Sequence, residues 1–167
     1  MGDVYREILI KKEKKSTDVL LRVALIALTV VLAAAGLLIS MLFLIFALAA
    51  GVLCYFVSQN LDLEYEYLYV NGDIDVDKIM GKERRKRCGS FALSDLELAA
   101  PTGSHELDSY TGKAKIRDFT SGKAGAKSWS LVYHHEEQME ILMAELDDGV
   151  IADLKRRAPR KVSSLYR

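Results

Sequence analysis

Residues 62–77 read DLEYEYLYVNGDIDVD and hold the clearest structural signal in the chain. Tyrosines alternate with glutamates through the first half of this stretch. A period of two that is rich in aromatic residues predicts a β-strand. Asn71-Gly72 then interrupts the pattern, and this dipeptide is a strong signal for a tight hairpin turn. The alternation resumes at Asp73, so the sequence predicts two antiparallel strands joined by that turn.

The sequence downstream predicts further short strands and one final helix. An amphipathic pattern over residues 147–158 predicts this helix, with Asp147 or Asp148 as its N-cap and Pro159 just after its end. A polar turn over residues 135–137 joins the last two strands. The predicted strands cover residues 84–93, 96–98, 113–119, 129–133 and 139–143.

Upstream of the hairpin, residues 23–57 contain no charged side chain. One helical crossing of a bilayer needs about 20 apolar residues, so this run is too long for one crossing and suits two. We expect the break within residues 36–40, which gives spans at 18–38 and 41–58. Ala47 and Gly51 would let the two helices approach closely, although small residues are also common in membrane helices generally.

The distribution of lysine and arginine predicts the orientation of these spans. Residues 1–22 are rich in both, whereas the middle of the apolar run has neither. Positive residues remain on the cytoplasmic side, so we predict a multi-pass protein of the bacterial cell membrane with both termini cytoplasmic. Residues 1–17 form a cytoplasmic leader, either an interfacial helix containing Val4, Ile8 and Leu9 or a solvated extension.

The predicted fold class is therefore a membrane α-helical hairpin followed by a mainly-β PH-like barrel with a C-terminal helix. Residues 18–58 form the hairpin, and residues 61–167 form the cytoplasmic PH-like β domain. The element order supports this class, because several short strands closed by one helix match a small barrel whose open end the helix covers.

Five blocks of the sequence are distinctive: MGDVYREIL at 1–9, DLEYEYLYVNG at 62–72, APTGSHELDSY at 100–110, DFTS at 118–121 and APRK at 158–161. In these blocks the chain resembles an uncharacterised family, a domain of unknown function, of small two-pass membrane proteins from anaerobic Firmicutes. Its element order is also distantly similar to that of bacterial membrane proteins with a PH-like domain. Neither resemblance implies a catalytic activity.

The sequence contains no arrangement typical of a catalytic, cofactor-binding or metal site. Residues 134–137 read HHEE, but neighbouring side chains on a strand point to opposite faces and chelate poorly. Cys88 has no nearby cysteine or histidine partner in the sequence. Residues 104–108 include serine, histidine and aspartate on one loop, without the turn that presents a nucleophile. We therefore predict that the protein is not an enzyme and uses no cofactor.

Two basic clusters are the candidate binding residues. Each lysine or arginine close to an anionic leaflet contributes about 1 kcal/mol to membrane attachment, and the alternative is a solvated turn. Nucleic acid is not expected, because Lys+Arg and Asp+Glu are equal at 23 each. The candidate anionic-lipid contact is Lys82, Arg84, Arg85, Lys86 and Arg87; the secondary basic patch is Lys155, Arg156 and Arg157.

These features predict a non-catalytic, membrane-tethered binding or scaffolding protein with a cytoplasmic PH-like domain that contacts anionic lipid. The alternative is a small accessory subunit of a larger membrane protein complex. The expected partners are the lipid bilayer and either another protein or a second copy of the chain. The lipid interpretation requires exposed basic clusters, whereas the subunit interpretation requires an exposed apolar patch.

Overall fold

The computed structural model describes residues 4–135 and 138–163. These residues form two compact units. The helical unit consists of Glu13–Leu63 together with the short segment Ile79–Arg84. The β unit consists of the chain up to Lys12, Glu64–Lys78 and the chain from Arg85 onward.

The helical unit is built on two apolar helices, α1 at Ser16–Leu38 and α2 at Leu42–Leu61. Both are long and apolar enough to span a membrane. They pack closely at Gly36, where an added Cβ would lie 2.5 Å from the Leu44 side chain. Glycine at this position therefore serves helix packing and does not end α1, which continues to Leu38.

The β unit contains two four-stranded sheets, ordered β1-β2-β3-β4 and β5-β7-β8-β6. A short helix, α3 at Asp108–Thr111, precedes β6, and α4 at Asp148–Arg157 follows β8. The strands are β1 Tyr5–Lys11, β2 Leu63–Val70, β3 Asp73–Met80, β4 Arg84–Phe91, β5 Leu96–Pro101, β6 Lys115–Asp118, β7 Trp129–His135 and β8 Gln138–Ala144.

The leader differs from its sequence prediction, because it forms strand β1 and neither an interfacial helix nor a solvated extension. β1 pairs antiparallel with β2, from Tyr5 opposite Val70 to Lys11 opposite Glu64. Ile8 and Ile10 pack against the core of the β unit. A spacing of four residues, as between Val4 and Ile8, fits one face of a strand as well as one face of a helix. The two helices are consequently inserted in the chain between two paired strands.

The hairpin between β2 and β3 is confirmed. Asn71 has φ 53° and Gly72 has φ 109°, as a two-residue turn of primed type requires. The tyrosines of β2 point inward, and Tyr67 is completely buried. Residues 136–137, where the sequence predicts the turn between β7 and β8, lie outside the described residues.

The C-terminal helix is also confirmed. The Asp147 side chain caps α4 by accepting a hydrogen bond of 2.7 Å from the Val150 N–H. Val150 and Leu154 are buried in the core of the β unit. Two apolar helices followed by a two-sheet PH-like domain with a C-terminal helix agree with the predicted fold class.

Candidate functional site

The first basic cluster begins in the turn between β3 and β4. Gly81 and Lys82 both have positive φ, at 58° and 64°, and the Glu83 N–H donates to the Met80 carbonyl at 3.3 Å. The Gly81 N–H donates to the Asp62 carbonyl at 2.8 Å, just after the end of α2. A Cβ at Gly81 would overlap the end of the Gln59 side chain, and glycine adopts the positive φ at this position without strain. The turn is thus fixed beside the C-terminal end of α2, within the helical unit.

Arg85 and Arg87 are engaged by the acidic face of their own sheet. The Arg85 guanidinium lies 2.8 Å from the Glu66 carboxylate, and that of Arg87 lies 2.9 Å from the Asp75 carboxylate. The two arginines are two residues apart on β4, so their side chains share one face. Both are largely exposed, and solvent therefore screens these ion pairs.

The other three cations of this cluster are placed differently. Lys82, Arg84 and Lys86 are exposed, and none forms an ion pair with any residue in 4–135 or 138–163. Lys82 and Arg84 belong to the helical unit, whereas Lys86 belongs to the β unit. The cluster that looks uniform in sequence is therefore divided into paired arginines and unpaired cations.

The pKa of Glu66 shows how the charges on the acidic face of the sheet affect one another. Burial raises the pKa of the Glu66 carboxyl, and the Arg85 guanidinium opposes this increase. A hydrogen bond with Glu7 and the negative charges of Glu7 and Asp77 raise the pKa further. The Arg85 guanidinium therefore offsets the repulsion among the carboxylates of Glu7, Glu66 and Asp77. Its positive charge is balanced by acidic residues of its own sheet.

The second basic cluster surrounds a buried carboxylate. Asp153 is 4% exposed and accepts hydrogen bonds from the Tyr69 hydroxyl at 2.7 Å, from Arg157 Nε at 2.7 Å and from Arg156. Arg157 also donates to the Asn71 side chain at 2.8 Å, which links α4 to the β2–β3 turn. Of the predicted patch, Arg156 and Arg157 are therefore structural, and Lys155 is exposed on the surface.

The pKa of Asp153 follows from these partners. Burial alone would raise the pKa of this carboxyl, but hydrogen bonds from Tyr69 and Arg157, the charge of Arg157 and a hydrogen bond from Arg156 lower it below its usual value. Asp153 was not among the residues predicted from the sequence. Its spacing of three and four residues from Arg156 and Arg157 is the signal that could have identified it.

The other residues weighed for chemistry have structural or surface roles. Ser104 caps a short 3₁₀ helix by accepting a hydrogen bond from the Glu106 N–H. His105 and Asp108 form an exposed pair with 3.2 Å between ring nitrogen and carboxylate oxygen. His134 lies near the end of β7, and Glu136 and Glu137 lie outside the described residues. Within 4–135 and 138–163, no group of three histidine, cysteine or acidic residues could hold a metal ion.

The two-sheet fold with its C-terminal helix defines a PH-like protein. The family described as bacterial PH-like domain (DUF6106) matches residues 2–164, and the chain belongs to this family. The predicted membership of an uncharacterised family with PH-like character is thereby confirmed. No curated protein and no solved structure matches the chain. PH-like domains are generally non-catalytic.

Proposed function

We propose that the protein is a membrane-tethered, non-catalytic binding or scaffolding protein of the bacterial cell membrane, with its PH-like domain in the cytoplasm. The main supporting observation is the exposure of the two helices. Only 6% of the apolar window of α1 and 11% of that of α2 is buried. A core helix of a water-soluble protein would bury most of this surface, so the exposed side chains favour contact with lipid.

The β1–β2 pairing supports an even number of crossings. Lys11 and Glu64 are paired neighbours, so the chain enters and leaves the helical segment side by side. Lys14 and Asp62, which flank the helices within the helical unit, form an ion pair of 3.3 Å. This proximity supports a topology in which both flanks lie on the same side of the bilayer. The lysines and arginines of residues 1–22 favour the cytoplasm as that side.

Labelling of single cysteines in intact cells tests this topology. In a chain with Cys54 and Cys88 replaced by alanine, Ser40→Cys lies between the helices and Ser109→Cys lies on the exposed surface of the β unit. A membrane-impermeant maleimide should label Ser40→Cys in intact cells and Ser109→Cys only after lysis. Labelling of Ser109→Cys in intact cells would contradict a cytoplasmic domain.

The β3–β4 turn is our candidate for contact with anionic lipid. Lys82 and Arg84 are exposed, form no ion pair with the residues that the structure describes, and belong to the same unit as the end of α2. If α2 ends at the inner leaflet, both cations lie within the range of roughly 10 Å over which the surface potential acts at 0.1 M salt. Each would then contribute about 1 kcal/mol.

Native mass spectrometry of the full chain in nanodiscs tests this contact. With phosphatidylglycerol present, the wild type should retain more bound lipid than with phosphatidylcholine alone, and Lys82→Ala/Arg84→Ala should lose that excess. The matched control Arg85→Gln/Arg87→Gln removes the same charge but only paired arginines, so it should retain the lipid. Lys155→Ala examines the secondary patch. Equal retention by wild type and Lys82→Ala/Arg84→Ala would refute the role of the turn.

The second candidate function is an accessory subunit of a larger membrane complex. The exposed apolar side chains of both helices would suit the helices of a partner as well as lipid. Cross-linking in intact membranes distinguishes the two functions. A single partner protein, cross-linked through α1 or α2 in constant stoichiometry, would favour the subunit.

A further inference from the structure

The tip of the helical hairpin, residues 37–42, joins α1 to α2 and carries an exposed apolar surface. Ser40 is its only polar residue. The other side chains are apolar, and their exposed fractions range from 60% to 85%: Leu37, Leu38, Ile39, Met41 and Leu42. A connection that lies in water is usually polar, so this composition indicates a different environment for the tip. Exposed apolar patches mark contacts with protein or membrane.

The backbone of the tip satisfies most of its own N–H donors. The N–H groups of Ile39 and Ser40 both donate to the Ala35 carbonyl, at 2.9 Å and 3.2 Å. The Leu42 N–H donates to the Ser40 hydroxyl oxygen at 3.4 Å, and the Phe43 N–H donates to the Ser40 carbonyl at 3.0 Å. Hydrocarbon offers no partners to backbone groups, so a turn that closes these bonds internally suits such surroundings.

The length of the charge-free run limits how far the tip extends from the inner boundary of the bilayer. Residues 23–38 of α1 and residues 42–57 of α2 are stretches of 16 residues, which rise about 24 Å. The hydrocarbon core is about 30 Å thick, so this height alone leaves the tip short of the outer boundary. The Arg22 side chain can extend to the inner head groups, which lets the hairpin lie further outward. The tip then reaches the outer boundary without projecting far beyond it.

We propose that the apolar side chains of the tip contact acyl chains of the outer leaflet, with Ser40 at the level where the hydrocarbon meets the head groups. The inference rests on the two-crossing topology proposed above. Lipid is the occupant that the tip fits, because acyl chains need no polar partner, whereas a soluble protein would find one hydroxyl and no charged side chain to recognise. At this level Ser40 also remains open to the maleimide that tests the topology. The hairpin then presents little aqueous surface outside the cell, so recognition falls to the PH-like domain.

Accessibility of nitroxide spin labels tests the proposal on the full chain in nanodiscs of phosphatidylglycerol and phosphatidylcholine. In the chain with Cys54 and Cys88 replaced by alanine, one label at a time is attached to Ile39→Cys or Met41→Cys. Oxygen concentrates in hydrocarbon, whereas the nickel complex NiEDDA stays in water, and EPR power saturation measures how often each collides with the label. At both tip positions, collisions with oxygen should exceed collisions with the nickel complex.

Two matched labels calibrate the measurement. Val31→Cys, at an exposed position inside the apolar run, should favour oxygen, whereas Ser109→Cys on the surface of the β unit should favour the nickel complex. The proposal is overturned if the tip labels favour the nickel complex, as in water, or if both reagents are excluded, as beneath a partner protein. A tip in water with Val31→Cys still in lipid would reject only the outer-leaflet contact. Access of the nickel complex to Val31→Cys as well would reject the two-crossing topology.

Discussion

The two basic clusters look alike in sequence, but their arginines meet different carboxylates. At the end of α4, Arg156 and Arg157 converge on Asp153, which is buried and also bonded to Tyr69. On β4, Arg85 and Arg87 pair with different carboxylates, and within residues 4–135 and 138–163 neither Lys82 nor Arg84 forms an ion pair. The clusters therefore differ in that one buried carboxylate is shared by two arginines on α4, whereas each arginine on β4 has a carboxylate partner of its own.

Removal of the buried charge should have the largest effect. Asp153→Asn removes the negative charge and one of the two oxygens that Arg156, Arg157 and the Tyr69 hydroxyl share, and it should lower the free energy of unfolding by about 3 kcal/mol. Denaturant unfolding of the full chain in detergent can be followed by the fluorescence of Trp129, the single tryptophan, which is buried in the β unit. The control Asp108→Asn, at an exposed pair, should change stability by less than about 0.5 kcal/mol.

Acidification should reduce the difference in the free energy of unfolding between wild type and Asp153→Asn. Because the pKa of Asp153 is lower in the folded protein than its usual 3.8, its contribution is complete above that value and is lost as pH falls through the folded pKa. The stability advantage of wild type over Asp153→Asn should therefore be constant at neutral pH and shrink below about pH 4. A difference that does not change with pH would show that the ionised carboxylate is not the stabilising species.

A substitution in the β2–β3 turn, where Arg157 donates a hydrogen bond to Asn71, should have the next largest effect on stability. Gly72→Val places a β-branched side chain at φ 109° and its Cβ 2.6 Å from the Leu93 side chain. We expect a loss of about 2 kcal/mol in the same unfolding assay. Gly112→Val is the control, because Gly112 has φ −84° and open space around it. A similar loss in both variants would indicate a general cost of valine and not of the turn.

The exposed arginine pairs should give the smallest effect. Arg85→Gln/Arg87→Gln should lower the free energy of unfolding by less than about 1 kcal/mol, because both arginines are largely exposed to solvent. Added salt should reduce even this difference. A loss as large as that of Asp153→Asn would show that the two clusters are equally structural.

Local signals predicted much of the fold. Asn71-Gly72 specifies its turn through the backbone freedom of those two residues alone, and the Asp147 cap is equally local. The sequence failed at β1, because the partner of Tyr5 is Val70 and no local pattern indicates that pairing. Long-range strand pairing depends on the packing of the whole domain.

The candidate sites were predicted less completely, for the same reason. The basic residues themselves are visible in the sequence, but their partners are not. Tyr69 and Asn71 are 84 and 86 residues from the groups they bond, Asp153 and Arg157. A cavity beside β4 is lined by residues of β4, β6, β7 and β8, which no local sequence pattern brings together.

The position of β1 ahead of the helices also bears on biosynthesis. The ribosome releases β1 first, yet its partner β2 is made only after both apolar helices. If the helices insert as two crossings, β1 and β2 meet on one side of the bilayer and the first sheet can close. A chain whose second helix fails to insert would leave them on opposite sides, with the backbone edge of β2 unpaired. Such a product would expose an open sheet edge, so under the proposed two-crossing topology the PH-like domain would close only after both helices had inserted.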